Sequence, residues 1–226
     1  MSALAAAAEL EKLAEEVEAC TRCELHCNTH HGVPGEGPCD AEVMLIGEGP
    51  GRNEDLQGRP FVGEAGKFLT ELLAGAGLSR EEVYITNVVK HRPTRQDPDG
   101  SLSNRAPLPE EVDACRLYLD RQIKLIQPRV IVTLGAHSLG AFFPGQSIMR
   151  THGSMRQVEG RYFYHSFHPA AALYKRELRE TMLEDMKKLG QLLRTRVKQN
   201  ELERSAEALP GTETDPTGEP EQLTFF

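Results

Sequence analysis

Four short apolar runs, residues 43–47, 83–87, 130–134 and 162–166, each bounded by glycine, proline or polar residues, constrain this chain more than anything else in it. Runs so short and so continuously apolar read as strands buried on both faces. Residues 3–19, 65–76, 109–126, 136–142 and 171 to about 197 instead carry apolar side chains near helical spacing, with Glu110 and Glu111 supplying an acidic first turn behind Pro109. The alternation predicts an α/β three-layer sandwich with a mostly parallel, four-stranded central sheet. In such sheets ligands sit beyond the carboxyl ends of the strands. That singles out Glu48 after the first run, Asn87 and His91 after the second, and His168 after the fourth.

The net charge of −8 argues at first against a polyanionic partner, but its distribution reverses the argument. Residues 201–226 carry −6 and residues 1–19 carry −4, so the body between them is +2 and is compatible with nucleic acid. One folded domain over residues 1–200 is expected, followed by an acidic, disordered tail over 201–226 that is rich in Pro, Gly and Thr. No apolar run approaches the ~20 residues that a membrane span needs, so a cytoplasmic protein with no membrane association is expected, as a monomer. Residues 92–109 form a long polar loop without periodicity.

Five cysteines, an odd number, do not make a disulfide framework, and thiolate ligands are the better reading. Cys20, Cys23, Cys27 and Cys39 crowd beside His26, His30 and His31, while Cys115 stands alone. By spacing alone zinc is a candidate as well as iron.

Gly47-Glu48-Gly49-Pro50-Gly51-Arg52 lets the backbone approach a flat or anionic ligand, but it lacks both the dinucleotide and the phosphate-loop spacing. Asn53-Glu54-Asp55 and the Gly58-Arg59-Pro60-Phe61-Val62-Gly63 loop follow it. Together with Thr86-Asn87-Val88-Val89-Lys90-His91-Arg92-Pro93 and Phe167-His168-Pro169-Ala170-Ala171-Ala172-Leu173, these segments resemble family 4 of the uracil-DNA glycosylase superfamily. The three motifs occur in the family's order across residues 10–190.

The resemblance implies a DNA repair glycosylase that hydrolyses the N-glycosidic bond of uracil in single- or double-stranded DNA and leaves an abasic site. It implies that Asn87 reads the base edge, Phe61 stacks on the flipped base beside Gly49, and His168 donates to uracil O2. In the best-known branch an aspartate one position after Glu48 orients the attacking water, and this chain has Gly49 there. Glu48 and Glu54 are therefore the candidates for that role, with Asp55 beside them. His137 and His152 lie outside the motifs and read as structural histidines.

The resemblance also implies a 4Fe-4S cluster, with Cys20 and Cys23 as the paired ligands and Cys115 as the last. Where the family has its third cysteine this chain has His91, which another branch of the superfamily also carries; Cys27 or Cys39 is the alternative fourth ligand. Some members of that branch trap DNA covalently through a histidine in the loop after the second motif. Residues 92–110 contain none, so turnover is expected. Leu173 or Tyr174 is expected to fill the gap left by the flipped base, with Lys175 and Arg176 on phosphates. Gln222-Leu223-Thr224-Phe225-Phe226 resembles a peptide by which repair proteins bind the sliding clamp. The other functional classes that remain open are an electron-transfer iron-sulfur protein and a catalytically weak, nucleic-acid-binding one.

Overall fold

The computed structural model describes residues 2–207. The proposed clamp-binding peptide, Gln222 to Phe226, and most of the expected tail lie outside the described residues. The described residues up to Gln191 form one compact unit, and those from Leu192 onward fall in a second.

The first unit is built on a five-stranded sheet. Its strands are β1 (Val43–Gly47), β2 (Val83–Asn87), β5 (Val130–Leu134), β6 (Met155–Val158) and β7 (Arg161–Ser166), in the order β2-β1-β5-β7-β6. β3 (Thr94–Gln96) and β4 (Leu102–Asn104) form a separate antiparallel hairpin. β2, β1, β5 and β7 are mutually parallel, as the sequence predicts. The expected four-stranded sheet is corrected by β6, an antiparallel edge strand paired with β7 and only partly buried. The loop expected over residues 92–109 holds the hairpin β3–β4, with the Arg92 Nε donating to Asn104 Oδ1 at 2.7 Å behind it.

The helices are α1 (Ala3–Glu18), α2 (Arg52–Gln57), α3 (Glu64–Ala76), α4 (Pro109–Ile126), α5 (Gly135–Phe142), α6 (Ile148–Thr151), α7 (Ala171–Tyr174) and α8 (Glu177–Glu207). The single helix expected from residue 171 is two, because Lys175 adopts an extended backbone (φ −126°, ψ 92°) and ends α7. Register places Met44, Tyr84, Ile131 and Phe163 side by side on one face of the sheet. That face packs on Leu119, Ile123 and Ile126 of α4 and on Phe142 and Phe143 at the end of α5. Their neighbours Leu45, Ile85, Val132 and Tyr164 alternate to the other face, where the Tyr164 hydroxyl donates to Asp185 O of α8. Helices on both faces make three layers. Burying strands on both sides is why their sequences read as unbroken apolar runs.

The chain runs from β1 outward to β2 and then returns to β5 on the opposite side of β1. The direction of winding reverses between β1 and β5, and at such a switch point the loops diverge and leave a crevice at the carboxyl ends of the strands.

Candidate active site

A cleft of about 520 Å³ opens at that end of the sheet, lined among others by Glu48, Glu54, Phe61, Asn87, Asn104, Arg105, His168 and Leu173. Three loops after three different strands therefore meet in one place, as the motifs imply.

Asn87 closes β2 at the cleft floor, with 1% of its surface exposed. Its Oδ1 is buried without a hydrogen-bond partner. An unsatisfied buried acceptor costs about 1–3 kcal/mol, so it is a group waiting for a donor. The backbone before Glu48 makes room for it. A Cβ at Gly47 would lie 2.3 Å from Asn87 Oδ1 and 2.7 Å from Phe61 Cζ, so only glycine fits between the two.

Phe61 is held on the opposite wall in a left-handed conformation, φ 52°, which for a residue with a Cβ costs on the order of 1–3 kcal/mol. The surroundings over-determine it. Arg80 donates to the carbonyls of Pro60 and Phe61, the latter at 3.0 Å, and Glu36 fixes Arg80 with contacts of 2.7 and 2.9 Å. On the other side Glu54 Oε1 accepts from Val62 N and Gly63 N, both at 2.9 Å, and Oε2 accepts from Gly51 N at 3.1 Å. Three backbone amides thus engage both oxygens of Glu54, expected as a catalytic residue, and hold the loop that carries Phe61.

His168 lies across from Phe61, with ring centroids 5.7 Å apart. Ala170 N donates to its Nδ1 at 3.2 Å, so Nδ1 is the acceptor and the proton resides on Nε2. Burial lowers its pKa to about 4, which keeps the ring neutral at physiological pH. It is a neutral donor with a fixed tautomer.

Glu48 follows β1 at the mouth, partly exposed. Burial pushes its pKa up and the nearby His137 offsets part of that rise. At Gly49 a Cβ would lie 2.8 Å from Val89 Cγ2 and 3.2 Å from Pro93 Cδ, so a side chain here is crowded by the second motif. Leu173 lines the cleft and is half exposed, Tyr174 is 87% exposed, and Lys175 and Arg176 are exposed beside them.

Behind the cleft Lys90 is fully buried and donates to Thr86 Oγ1, Asn87 O and Gln122 Oε1 at 2.6, 2.8 and 2.7 Å. Burial lowers its pKa to about 7, while three acceptors match the three protons of the ammonium. Sequence reading assigned nothing to Lys90, Arg80 or Glu36. Lys90 stands inside the second motif and was there to be noticed, whereas Arg80 and Glu36 reach the site only through tertiary contacts.

The cysteines divide. Cys20 and Cys115 are buried and Cys23 partly so, and the three interact electrostatically. The Lys90 amide faces the Cys115 sulfur, which places the buried His91 next along the chain. Burial raises the Cys115 thiol to about 11 and raises Cys23 as well, so neither is a thiolate unless a cationic centre lies between them. Cys39 is elsewhere: its thiol donates to Ala3 O at the start of α1, whereas Cys20 follows the end of that helix, about 24 Å away along 16 residues. Cys27 is exposed and lies beside Glu24 and His26. Among the described residues no three His, Cys, Asp or Glu side chains are placed to hold a single metal ion. The ligands of a four-iron cluster lie farther apart than those of a single ion, and the three neighbouring sulfurs of Cys20, Cys23 and Cys115 suit its thiolate corners.

No helix among the described residues is long and apolar enough to cross a membrane. The model of the Uracil DNA glycosylase superfamily matches residues 34–190. A Type-4 uracil-DNA glycosylase of Archaeoglobus fulgidus is 45% identical over 192 residues, covering 81% of this chain and 92% of the relative. One from Thermotoga maritima is 46% identical over 184 residues, covering 79% and 92%. The crystal structure of Pedobacter heparinus SMUG2 is similar at a TM-score of 0.51 and 16% identity, over 69% of this chain and 77% of that one, a likeness of fold.

Proposed function

The chain belongs to the uracil DNA glycosylase superfamily, and from that premise we propose how its cleft releases uracil from DNA. It acts as a uracil-DNA glycosylase, a hydrolase of N-glycosyl bonds. The observation that carries the reading of the site is the orphaned Oδ1 of Asn87, buried at the floor of the cleft that Phe61 and His168 also line.

Uracil offers an N3–H donor and an O4 acceptor along one edge, which the Asn87 amide complements with Oδ1 and Nδ2. Cytosine presents an acceptor and a donor in the opposite sense and would leave both buried groups unpaired. A site built to hydrogen-bond its substrate rejects an analogue that cannot, by up to ~10⁴–10⁵-fold. Phe61 stacks on the extruded base. As the C1′–N1 bond lengthens, negative charge gathers on the ring and the neutral His168 Nε2–H meets it at O2, a contribution of ~3–4 kcal/mol for such donors. Glu48, free of backbone amides, orients the water that adds to the sugar. Leu173 and Tyr174 fill the gap in the stack, with Lys175 and Arg176 on the flanking phosphates.

Cys20, Cys23, Cys115 and His91 would hold a 4Fe-4S cluster that fastens the end of α1 and the start of α4 to the loop after β2. Its support is the convergence of three poorly exposed thiols beside the segment that reads the base. When bound, the cluster supplies cross-linking of these elements. A uracil-containing oligonucleotide with an alkali-cleavage readout tests the function: abasic product from uracil and none from cytosine is expected, and no product at high enzyme rejects it.

A further inference from the structure

His137 lies in the first turn of α5, half exposed, with Nε2 3.9 Å from Glu48 Oε2. Its neighbour Ser138 donates from Oγ to Ile46 O at 2.6 Å, bolting that turn to the end of β1 two residues before Glu48. The fold therefore sets the imidazole and the carboxylate face to face. At 3.9 Å they do not bond directly, but a water about 2.8 Å from each bridges such a gap. We infer that His137 is a positioning residue for Glu48, keeping its carboxylate ionised and aimed at the attacking water. This rests on the reading of the chain as a uracil-DNA glycosylase.

The other charged groups around the cleft cannot take that part. Glu54 from α2 is engaged by backbone amides, Glu64 at the start of α3 is paired with Lys67, Arg105 after the hairpin is paired with Glu111, and His168 after β7 is held neutral. Arg52 at the start of α2 also lines the cleft, but the charge felt at Glu48 is that of His137. The step balances without a co-reactant. The C1′–N1 pair leaves with uracil, the water oxygen bonds to C1′, and its proton passes to Glu48 and from there to solvent, which reprotonates the uracil anion.

The test is single-turnover uracil release from a single-stranded oligonucleotide, measured from pH 5 to 9, with DNA affinity measured in parallel. His137→Ala should slow release by about tenfold, a fraction of what positioned acid–base groups contribute, at unchanged DNA affinity. Its acid limb should move to higher pH by about one unit, because an opposing cation no longer favours the Glu48 carboxylate. His137→Lys, a permanent cation, should return the limb to its wild-type position, and in a Glu48→Gln background His137→Ala should cost nothing further. Wild-type behaviour of His137→Ala, a slower rate with an unmoved limb, a limb that His137→Lys leaves displaced, or an undiminished effect in the Glu48→Gln background overturns the inference. Absence of release by the wild-type chain overturns the glycosylase reading itself, and the inference with it.

Discussion

Gly47 and Asn87 are packed so closely that a single methyl group on the first would meet the amide oxygen of the second at 2.3 Å. Gly47→Ala should therefore displace Asn87 and Phe61 together and lower uracil release by about 100-fold, the scale of a misplacement near 1 Å. Thermal melting should show a protein that still folds, since the change lies at a strand end. Activity near wild type in Gly47→Ala would mean that the base edge is not read at this place.

Two histidines are buried neutral: His165, whose pKa burial lowers to about 4, and His168, lowered to the same value. The unfolded chain takes up protons at an ordinary histidine pKa, near 6.5, and the folded chain does not until about pH 4. Folding stability is thus full above pH 6.5 and falls as pH drops from about 6.5 to about 4. Urea unfolding at pH 7.5 and pH 5 should show the loss, and His165→Asn, which removes one titrating group, should show a shallower dependence. An equal slope in that variant would contradict the assignment.

Purified without oxygen, the protein should be brown and contain about four irons per chain. His91→Ala should leave a labile centre, whereas Cys27→Ala and Cys39→Ala should keep iron content unchanged, since Cys39 sits at the far end of α1 from Cys20. Iron lost from Cys27→Ala and retained in His91→Ala would transfer the fourth position to Cys27.

Leu173 lines the cleft and is 49% exposed at the start of the surface that Tyr174, Lys175 and Arg176 continue. A wedge is needed only where a partner strand resists extrusion of the base. Leu173→Ala should slow release from paired uracil several-fold more than from single strands, by the few kcal/mol that unstacking and unpairing cost at most. Equal effects on the two substrates would make Leu173 a packing residue.

How much of this was legible in the sequence follows from where each side chain finds its partners. β1, β2, β5 and β7 announced themselves because both faces of each are buried, whereas β6 carries Arg156 and Gln157 on an edge and has no such pattern. The hairpin strands are three residues each, too short for alternation to register. Asn87, Phe61 and His168 stand in contiguous motifs, which is why sequence singled them out before the fold brought them to one cleft. Arg80 and Glu36, 44 residues apart, lock the Phe61 loop by contacts no local pattern encodes. Nearness in sequence is not nearness in space: Cys39, the alternative fourth ligand, follows Cys20 by nineteen residues, yet its thiol meets the start of α1 and Cys20 follows its end. His137 looked structural because only the folded chain brings it to Glu48.

The central claim is that the orphaned Asn87 amide reads uracil for hydrolytic release. Base release from matched oligonucleotides carrying one uracil or one cytosine, by the wild-type chain and by Asn87→Ala at equal DNA affinity, tests it most directly. The account predicts abasic product from uracil alone with the wild-type chain, and a loss of about 100-fold or more in Asn87→Ala, the scale of removing a preorganised donor set. Release by Asn87→Ala at the wild-type rate with undiminished rejection of cytosine would contradict it.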